Sequence, residues 1–254
     1  MIYVTGDTHG SRDLGKLDAA RWPVGQTLTR DDYVVVCGDF GGVFGPAERD
    51  ERILAWWESR PWTTLFVDGN HEGHDALDAL PTDTLFGAPV HVIPGHPHVI
   101  HLMRGNVYEL PVDDARTASV LAMGGARSTD REWRVEGVSW WAREMPSDEE
   151  YDRCTGNLEA RGWRVDYVLT HELPADLRMH ALDWRSYAEL ASGADPLSNF
   201  LQWVYDTIDR AALRMWYAGH YHVDETVGEK VRVLFDDVVP LGRTSGEGSE
   251  ATNG

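Results

Sequence analysis

The first residues that could do chemistry are Asp7 and His9, two positions apart near the start of the sequence. They follow an apolar run that stops at Gly6, and its β-branched residues predict a buried strand. Side chains two positions apart in extended chain point the same way, so an oxygen and a nitrogen ligand could meet one metal ion here. On its own, Asp-x-His more often marks a loop-forming Asp beside a surface His.

Similar polar groups follow the ends of four later apolar runs, which predict buried strands. These strands are Tyr33–Cys37, Thr63–Val67, 165–170 and Met215–Ala218. The junctions read Asp7-x-His9, Gly38-Asp39, Gly69-Asn70-His71-Glu72, His171 and Gly219-His220-x-His222. Because sites in open α/β sheets form where the carboxyl ends of strands gather, we expect these side chains to meet.

The remaining pattern predicts one domain over residues 1–241 that alternates strands and helices. Further strands are expected at 119–123 and 231–235, with a hairpin over 90–110. Helices are expected at 46–59, 147–162, 182–190 and 197–213, the second with Ser147 and Glu150 as a capping box. The Gly/Ser/Glu-rich residues 242–254 predict a disordered tail.

Composition excludes several classes of function. The chain has 254 residues and a net charge of -19 at pH 7, which disfavours binding to duplex nucleic acid. It has no apolar stretch of about 18 residues, so no membrane span is expected. Only two cysteines are present and no leader-like stretch precedes the first strand, so we expect a cytoplasmic protein. Nothing in the sequence predicts an oligomeric state.

The ordered set of junctions resembles the calcineurin-like metallophosphoesterase family, whose pattern is D-x-H, G-D, G-N-H-[D/E], H and G-H-x-H. The resemblance runs from residue 2 to about 236. It implies an α/β fold, a four-layer α/β/β/α sandwich of two mixed sheets flanked by helices. It also implies a hydrolase that cleaves phosphomonoesters or phosphodiesters of a small phosphorylated substrate, a nucleotide being one option.

The resemblance further implies a centre of two divalent metal ions that activate a hydroxide. Asp39 would bridge the ions, with Asp7, His9 and His222 on the first. Asn70, His171 and His220 would hold the second. Mixed oxygen and imidazole ligands suit manganese, iron or zinc. His71 would face the substrate as the general acid. Many family members carry an Asp that supports this histidine, but Gly42 occupies that position here.

Residues 126–146 form a segment rich in Arg and Trp that follows the strand ending at Gly124-Gly125. Its Arg127, Arg131 and Arg134 could bind substrate phosphate. Its tryptophans, Trp133, Trp140 and Trp141, could instead pack as a structural flap. Four others, Trp56, Trp57, Trp203 and Trp216, are expected in the core.

Two alternatives to the phosphoesterase stay open. A nucleotide pyrophosphohydrolase of the same fold would suit the Arg/Trp segment. A non-catalytic scaffold protein is the other, although retention of all seven ligands together with His71 argues against it.

Overall fold

A computed structural model of the chain describes residues 1–113, 115–181 and 195–242. The helix predicted at 182–190 and the tail predicted from 243 onward lie outside the described residues. Two mixed sheets dominate the rest.

The first sheet has seven strands in the order β13-β1-β2-β3-β6-β5-β4. Its strands β1, β2, β3 and β6 are parallel, and the outer strands are antiparallel to their neighbours. The bounds are β1 Ile2–Thr5, β2 Tyr33–Cys37, β3 Thr63–Val67, β4 Thr82–Leu85, β5 Ala88–Ile93, β6 His96–Leu102 and β13 Val238–Pro240.

The second sheet has six strands in the order β11-β12-β10-β9-β8-β7. Strands β8, β9, β10 and β12 are parallel, while β7 and β11 are antiparallel at the edges. The bounds are β7 Asn106–Asp113, β8 Arg116–Met123, β9 Tyr167–Thr170, β10 Met215–Ala218, β11 Glu225–Val227 and β12 Val231–Val233.

Helices cover the outer faces of both sheets. They are α1 Ala47–Glu58, α2 His74–Asp78, α3 Asp148–Ala160, α4 Arg178–Ala181 and α5 Pro196–Thr207. Short 3-10 turns occupy Leu14–Leu17, Pro23–Thr27, Arg131–Trp133, Ala142–Glu144 and Ala175–Leu177. The capping box at the start of α3 is present as predicted, since Ser147 accepts a hydrogen bond from the backbone of Glu150 and the Glu150 side chain accepts one from Ser147.

Successive side chains of the central strands face opposite sides of their sheet, and this alternation builds the four layers. In β2, Val35 and Cys37 face the second sheet, whereas Val34 and Val36 pack with the tryptophans beneath α1. In β9, Leu169 faces the first sheet and Val168 packs against the helices. Strands buried on both faces read as continuous apolar runs, which is why the sequence predicts them well. The α/β/β/α architecture is confirmed.

Three expectations need correction. The stretch predicted as one hairpin turns at Gly95 between β5 and β6, and Gly105 instead begins the passage to the second sheet. The last helix ends at Thr207, before a turn in which Asp209 accepts hydrogen bonds from the backbone of Ala211 and Ala212. Trp203 is 44% exposed and Trp56 is half-buried, while Trp57 and Trp216 are fully buried.

Among the described residues, no helix is long and apolar enough to cross a membrane.

Candidate metal centre and substrate pocket

The predicted ligands meet at one edge of the molecule, where the carboxyl ends of parallel strands from both sheets face each other. The first sheet supplies ligands after β1, β2 and β3, and the second supplies them after β9 and β10. We call these seven residues the ligand cluster: Asp7, His9, Asp39, Asn70, His171, His220 and His222.

Asp39 lies at the centre of the ligand cluster. One carboxylate oxygen is 3.2 Å from Nε2 of His9, and the other is 3.3 Å from Nε2 of His171. The carboxylate therefore faces one histidine from each sheet. Nε2 of His171 is also 3.2 Å from Oδ1 of Asn70. This is the placement that a bridging carboxylate needs.

Asp7 stands beside it and is completely buried. Its Oδ1 accepts a hydrogen bond from the backbone of His220, at 2.9 Å. Its Oδ2 lies 3.1 Å from Nε2 of His222 and has no hydrogen-bond partner of adequate geometry among the described residues. His220 packs its ring 4.9 Å from that of His171, and its Nε2 is 3.9 Å from Oε2 of Glu172.

The backbone bends sharply to aim these ligands. His9, Asp39, His220 and His222 all have positive φ, between 45° and 71°. This left-handed conformation is costly for residues other than glycine and is concentrated at functional sites. A glycine directly precedes four of the ligands and allows close approach: a Cβ at Gly38 would lie 2.1 Å from Nδ1 of His171.

Neighbouring groups fix which ring nitrogen His9 and His171 present to the ligand cluster. Nδ1 of His9 lies 2.8 Å from Oδ2 of Asp13, and Nδ1 of His171 lies 2.8 Å from the carbonyl of Cys37. Both contacts leave Nε2 directed into the ligand cluster. A carboxylate or carbonyl behind a ligating imidazole is the usual arrangement in metal sites. Asp13, four residues after His9, is a functional residue that motif reading missed.

Asn70 is oriented by a pair of residues from the Arg/Trp segment. Its Nδ2 donates to Oγ of Ser128 at 3.2 Å, which leaves Oδ1 for the ligand cluster. The backbone and hydroxyl of Ser128 in turn donate to the buried carboxylate of Glu144, at 2.9 and 2.5 Å. The segment thus reaches the metal centre through Ser128, which nothing in the sequence indicated.

Charges in the ligand cluster are strongly coupled. Burial disfavours the charged form of His171, yet Asp39 and Asp7 outweigh it and raise the pKa of His171 to about 10. Burial likewise opposes ionisation of Asp39, but His171 and His9 hold its pKa well below the usual range. Among the described residues, no Arg or Lys side chain forms an ion pair with either carboxylate.

The ligand cluster fits divalent transition ions. It offers carboxylate, amide and imidazole donors, and it includes the unpartnered buried oxygen of Asp7. Three sets of residues each bring their ligand atoms within 4.8 Å of one another: Asp7, His9 and His222; Asp7, Asp39 and His171; and His9, Asp39 and His71. The third set includes His71, which was predicted to face the substrate instead.

His71 lies over the ligand cluster without joining the proposed ligands. Its backbone donates to Asp39 at 2.8 Å, and Nε2 is 3.9 Å from the carboxylate. The guanidinium of Arg134 covers the ring, with its terminal nitrogens 3.0 and 3.3 Å from Nδ1 and Nε2. Burial lowers the pKa of His71, and Arg134 adds to this against the opposing charge of Asp39.

Gly42 is constrained by packing. A Cβ added there would lie 2.4 Å from the ring of Phe40, which is fully buried. A carboxylate at this position therefore requires Phe40 to move. Glu72, adjacent to His71, points away and accepts hydrogen bonds from the backbone of Phe40 and Gly41.

An open pocket of about 510 Å³ lies above the ligand cluster. Arg134 lines it, whereas the predicted phosphate-binding residues Arg127 and Arg131 do not. Two arginines that the sequence did not single out, Arg12 and Arg49, line it instead. The full lining is His9, Arg12, Asp13, Gly41, Phe44, Arg49, His71, Arg134, His222 and Phe235.

The tryptophans of the Arg/Trp segment differ in burial, and the lining of the pocket includes none of them. Trp133 is 85% exposed, while Trp141 is buried against Phe44 and donates from Nε1 to Asp75 at 3.1 Å. The segment is therefore anchored to the body of the protein by Trp141 and Glu144 and carries Arg134 into the pocket.

A family model matches most of this chain. The model of the calcineurin-like phosphoesterase family matches residues 1–224. Among solved structures, the calcineurin-like phosphoesterase YfkN from Bacillus subtilis is similar at 15% identity and a TM-score of 0.48, covering 91% of this chain and 80% of that one. No curated protein gives a significant match.

Proposed function

The chain belongs to the calcineurin-like phosphoesterase family, whose members hydrolyse phosphoesters with divalent metals, and from that premise we propose a dinuclear phosphohydrolase. The observation that carries the proposal is Asp39, which faces His9 on one side and His171 on the other. Asp7, His9 and His222 would hold one ion, and Asn70, His171 and His220 the other, with Asp39 between them. A pair of divalent ions stabilises both the attacking and the leaving oxygen of an in-line displacement.

The residues around the ligand cluster would bind and orient the substrate. Arg134 offers a planar set of donors for phosphoryl oxygens at the point where it now covers His71. His71 would then stand beside the leaving oxygen, which it can hydrogen bond or protonate. Asp13 and the carbonyl of Cys37 keep the ligand imidazoles in one tautomer throughout.

The proposal is tested by metal analysis of the purified protein together with a panel of phosphomonoesters and phosphodiesters. Asp39→Asn should lower the metal content from near two ions per chain and remove hydrolysis. Asp31→Asn, at an exposed position outside the pocket, removes the same charge and serves as the matched control. A parent protein that takes up neither manganese, iron nor zinc and cleaves no ester would contradict the proposal, as would an Asp39→Asn variant with full metal and turnover.

A further inference from the structure

Three guanidinium groups line the pocket above the ligand cluster, at Arg12, Arg49 and Arg134. They come from three separate parts of the chain: the loop after β1, the first turn of α1 and the Arg/Trp segment. The chain has 23 Lys and Arg against 42 Asp and Glu, so a concentration of arginines runs against its overall composition. Their convergence indicates a polyanionic ligand.

Arg12 is the most informative of the three. Its backbone donates to the carbonyl of His9, which places it within one side chain's length of the ligand cluster. Its side chain is exposed in the pocket and makes no ion pair or side-chain hydrogen bond within the described part of the chain. The nearest carboxylate in sequence, Asp13, is already engaged by His9 at 2.8 Å.

Arg49 stands on the same side of the pocket. A Cβ added to Gly10 would lie 2.8 Å from its Nη2, so the guanidinium lies against the loop that carries His9 and Arg12. Its carbon Cζ is 5.6 Å from the centre of the Phe44 ring, and Nη1 is 3.3 Å from Asp50. Arg134 is anchored elsewhere, by Asp130 at 2.7 Å and by its contact with His71.

One phosphoryl group does not account for all three. In the proposed function, Arg134 and His71 together with the metal ions would already bind the phosphoryl group that is attacked. Arg12, on the loop beside His9, and Arg49, whose guanidinium lies against that loop, add positive charge where a neighbouring group of the substrate would lie. The volume of about 510 Å³ is in the range of small-molecule sites and exceeds what a single phosphate fills.

We propose that the substrate carries a second phosphate next to the one attacked, held by Arg12 and Arg49, so that the bond cleaved is a phosphoanhydride. This inference rests on the proposed function and names its substrate class. The oxygen of water bonds to the terminal phosphorus, the bridging P–O bond breaks, and the leaving phosphate keeps the electron pair. A nucleoside diphosphate and water thus give a nucleoside monophosphate and orthophosphate, with release of a proton to solvent.

The experiment compares hydrolysis of ADP, AMP and p-nitrophenyl phosphate by the metal-loaded protein. The parent should show a higher kcat/KM for ADP than for AMP. Arg12→Gln should lower the ratio of these two values by roughly 10- to 100-fold, the size expected for a lost contact between charged groups. Arg12→Lys should restore part of the ratio. Arg164→Gln removes an exposed guanidinium paired with Asp209, outside the pocket, and should leave the ratio at the parent value.

Four outcomes separate the claims. If p-nitrophenyl phosphate is cleaved but ADP is not preferred over AMP, the second-phosphate inference is overturned while the proposed function stands. If Arg12→Gln lowers the rates on ADP and AMP equally, Arg12 contacts the attacked phosphoryl group and the inference is again overturned. If none of the three compounds is hydrolysed but a phosphodiester of the panel is, the inference is overturned while the proposed function stands; if no ester of the panel is hydrolysed at any metal loading either, both fall.

Discussion

Two buried clusters of histidines and carboxylates lie close together in this protein, and they differ in the source of their positive charge. The second, which we call the Arg104 cluster, contains Asp68, His74, His91, His101 and Arg104. Arg104 is 3% exposed and pairs with the Asp68 carboxylate through both Nε and Nη2. His101 lies 3.2 Å from the same carboxylate, and Nδ1 of His91 lies 3.0 Å from that of His101.

The comparison shows why composition alone does not mark a metal site. Both clusters hold buried carboxylates beside imidazoles, but Asp68 has a permanent guanidinium partner, supplied by the chain. Among the described residues, the ion-pair partners of Asp7 and Asp39 are all imidazoles, whose protons a metal ion displaces when it binds. Oδ2 of Asp7 accepts no hydrogen bond of adequate geometry in the described part of the chain, whereas both oxygens of Asp68 do.

The largest effect should come from His71, which contacts the ligand cluster and is proposed to act as the general acid. His71→Ala is expected to lower kcat by roughly 10²–10⁴-fold, the usual cost of a lost general acid, while metal content stays at the parent level. Turnover should be measured on an alkyl phosphate, whose leaving oxygen is strongly basic. His74→Ala, in the Arg104 cluster, is the control and should retain turnover per metal-loaded chain. An unchanged kcat in His71→Ala would show that His71 is not the general acid.

Breaking the Arg104 cluster should cost stability instead. Arg104→Met leaves Asp68 buried without its cation, which is expected to cost about 3–5 kcal/mol in the free energy of unfolding. Urea denaturation in the presence of a chelator measures this. Arg164→Met, which removes the exposed partner of Asp209, should cost about 1 kcal/mol or less. If Arg104→Met lost no more unfolding free energy than Arg164→Met, the Asp68 carboxylate would not need the guanidinium of Arg104.

Metal binding should stabilise the folded protein through the ligand cluster and not through the Arg104 cluster. At a free metal concentration of 100 times Kd, binding to the folded state adds about 2.7 kcal/mol per site. Metal should raise the Tm of the parent and of Arg104→Met by the same amount, and it should raise the Tm of Asp39→Asn only slightly. A gain that disappears in Arg104→Met would place the metal in the other cluster and reverse the comparison.

The smallest effect tests the link from the Arg/Trp segment to Asn70. Ser128→Ala removes the hydroxyl that orients the Asn70 amide, and changes behind a metal ligand typically weaken metal binding about 10- to 100-fold. Equilibrium metal binding measures this, and Ser128→Thr should restore affinity. His91→Ala, a comparable loss in the Arg104 cluster, should leave metal affinity unaffected. Equal affinities for Ser128→Ala and the parent would make the link incidental.

Sequence reading recovered the parts of this molecule that are encoded locally. The central strands Tyr33–Cys37, Thr63–Val67 and Met215–Ala218 have the predicted bounds because both of their faces are buried. Strand Thr82–Leu85 was missed because it is an exposed edge with a polar sequence. The convergence of the side chains in the ligand cluster was predictable because each follows the end of such a central strand, whereas their role as metal ligands stays a prediction.

What sequence reading missed depends on distant contacts. Ser128 and Asn70 are 58 residues apart, and no spacing rule joins them. Arg12 carries no motif, and its importance emerges only from the pocket that it lines. The histidines of the Arg104 cluster look no different from ligands until Arg104 is seen beside Asp68. Asp13 alone left a local signal, since it stands four residues after His9.

The division of the ligand cluster between two sheets has a mechanical consequence. A cation bound at once by Asp39, after β2, and His171, after β9, would crosslink two layers that side-chain packing and hydrogen bonds such as that from His220 to Asp7 also hold together. Each layer can open only after that bond breaks, so metal loading should slow unfolding as well as shift its equilibrium. Amide hydrogen exchange in β2 and β9 would then report on occupancy of the centre. A metal ion at this centre would therefore hold the two sheets together as well as take part in hydrolysis.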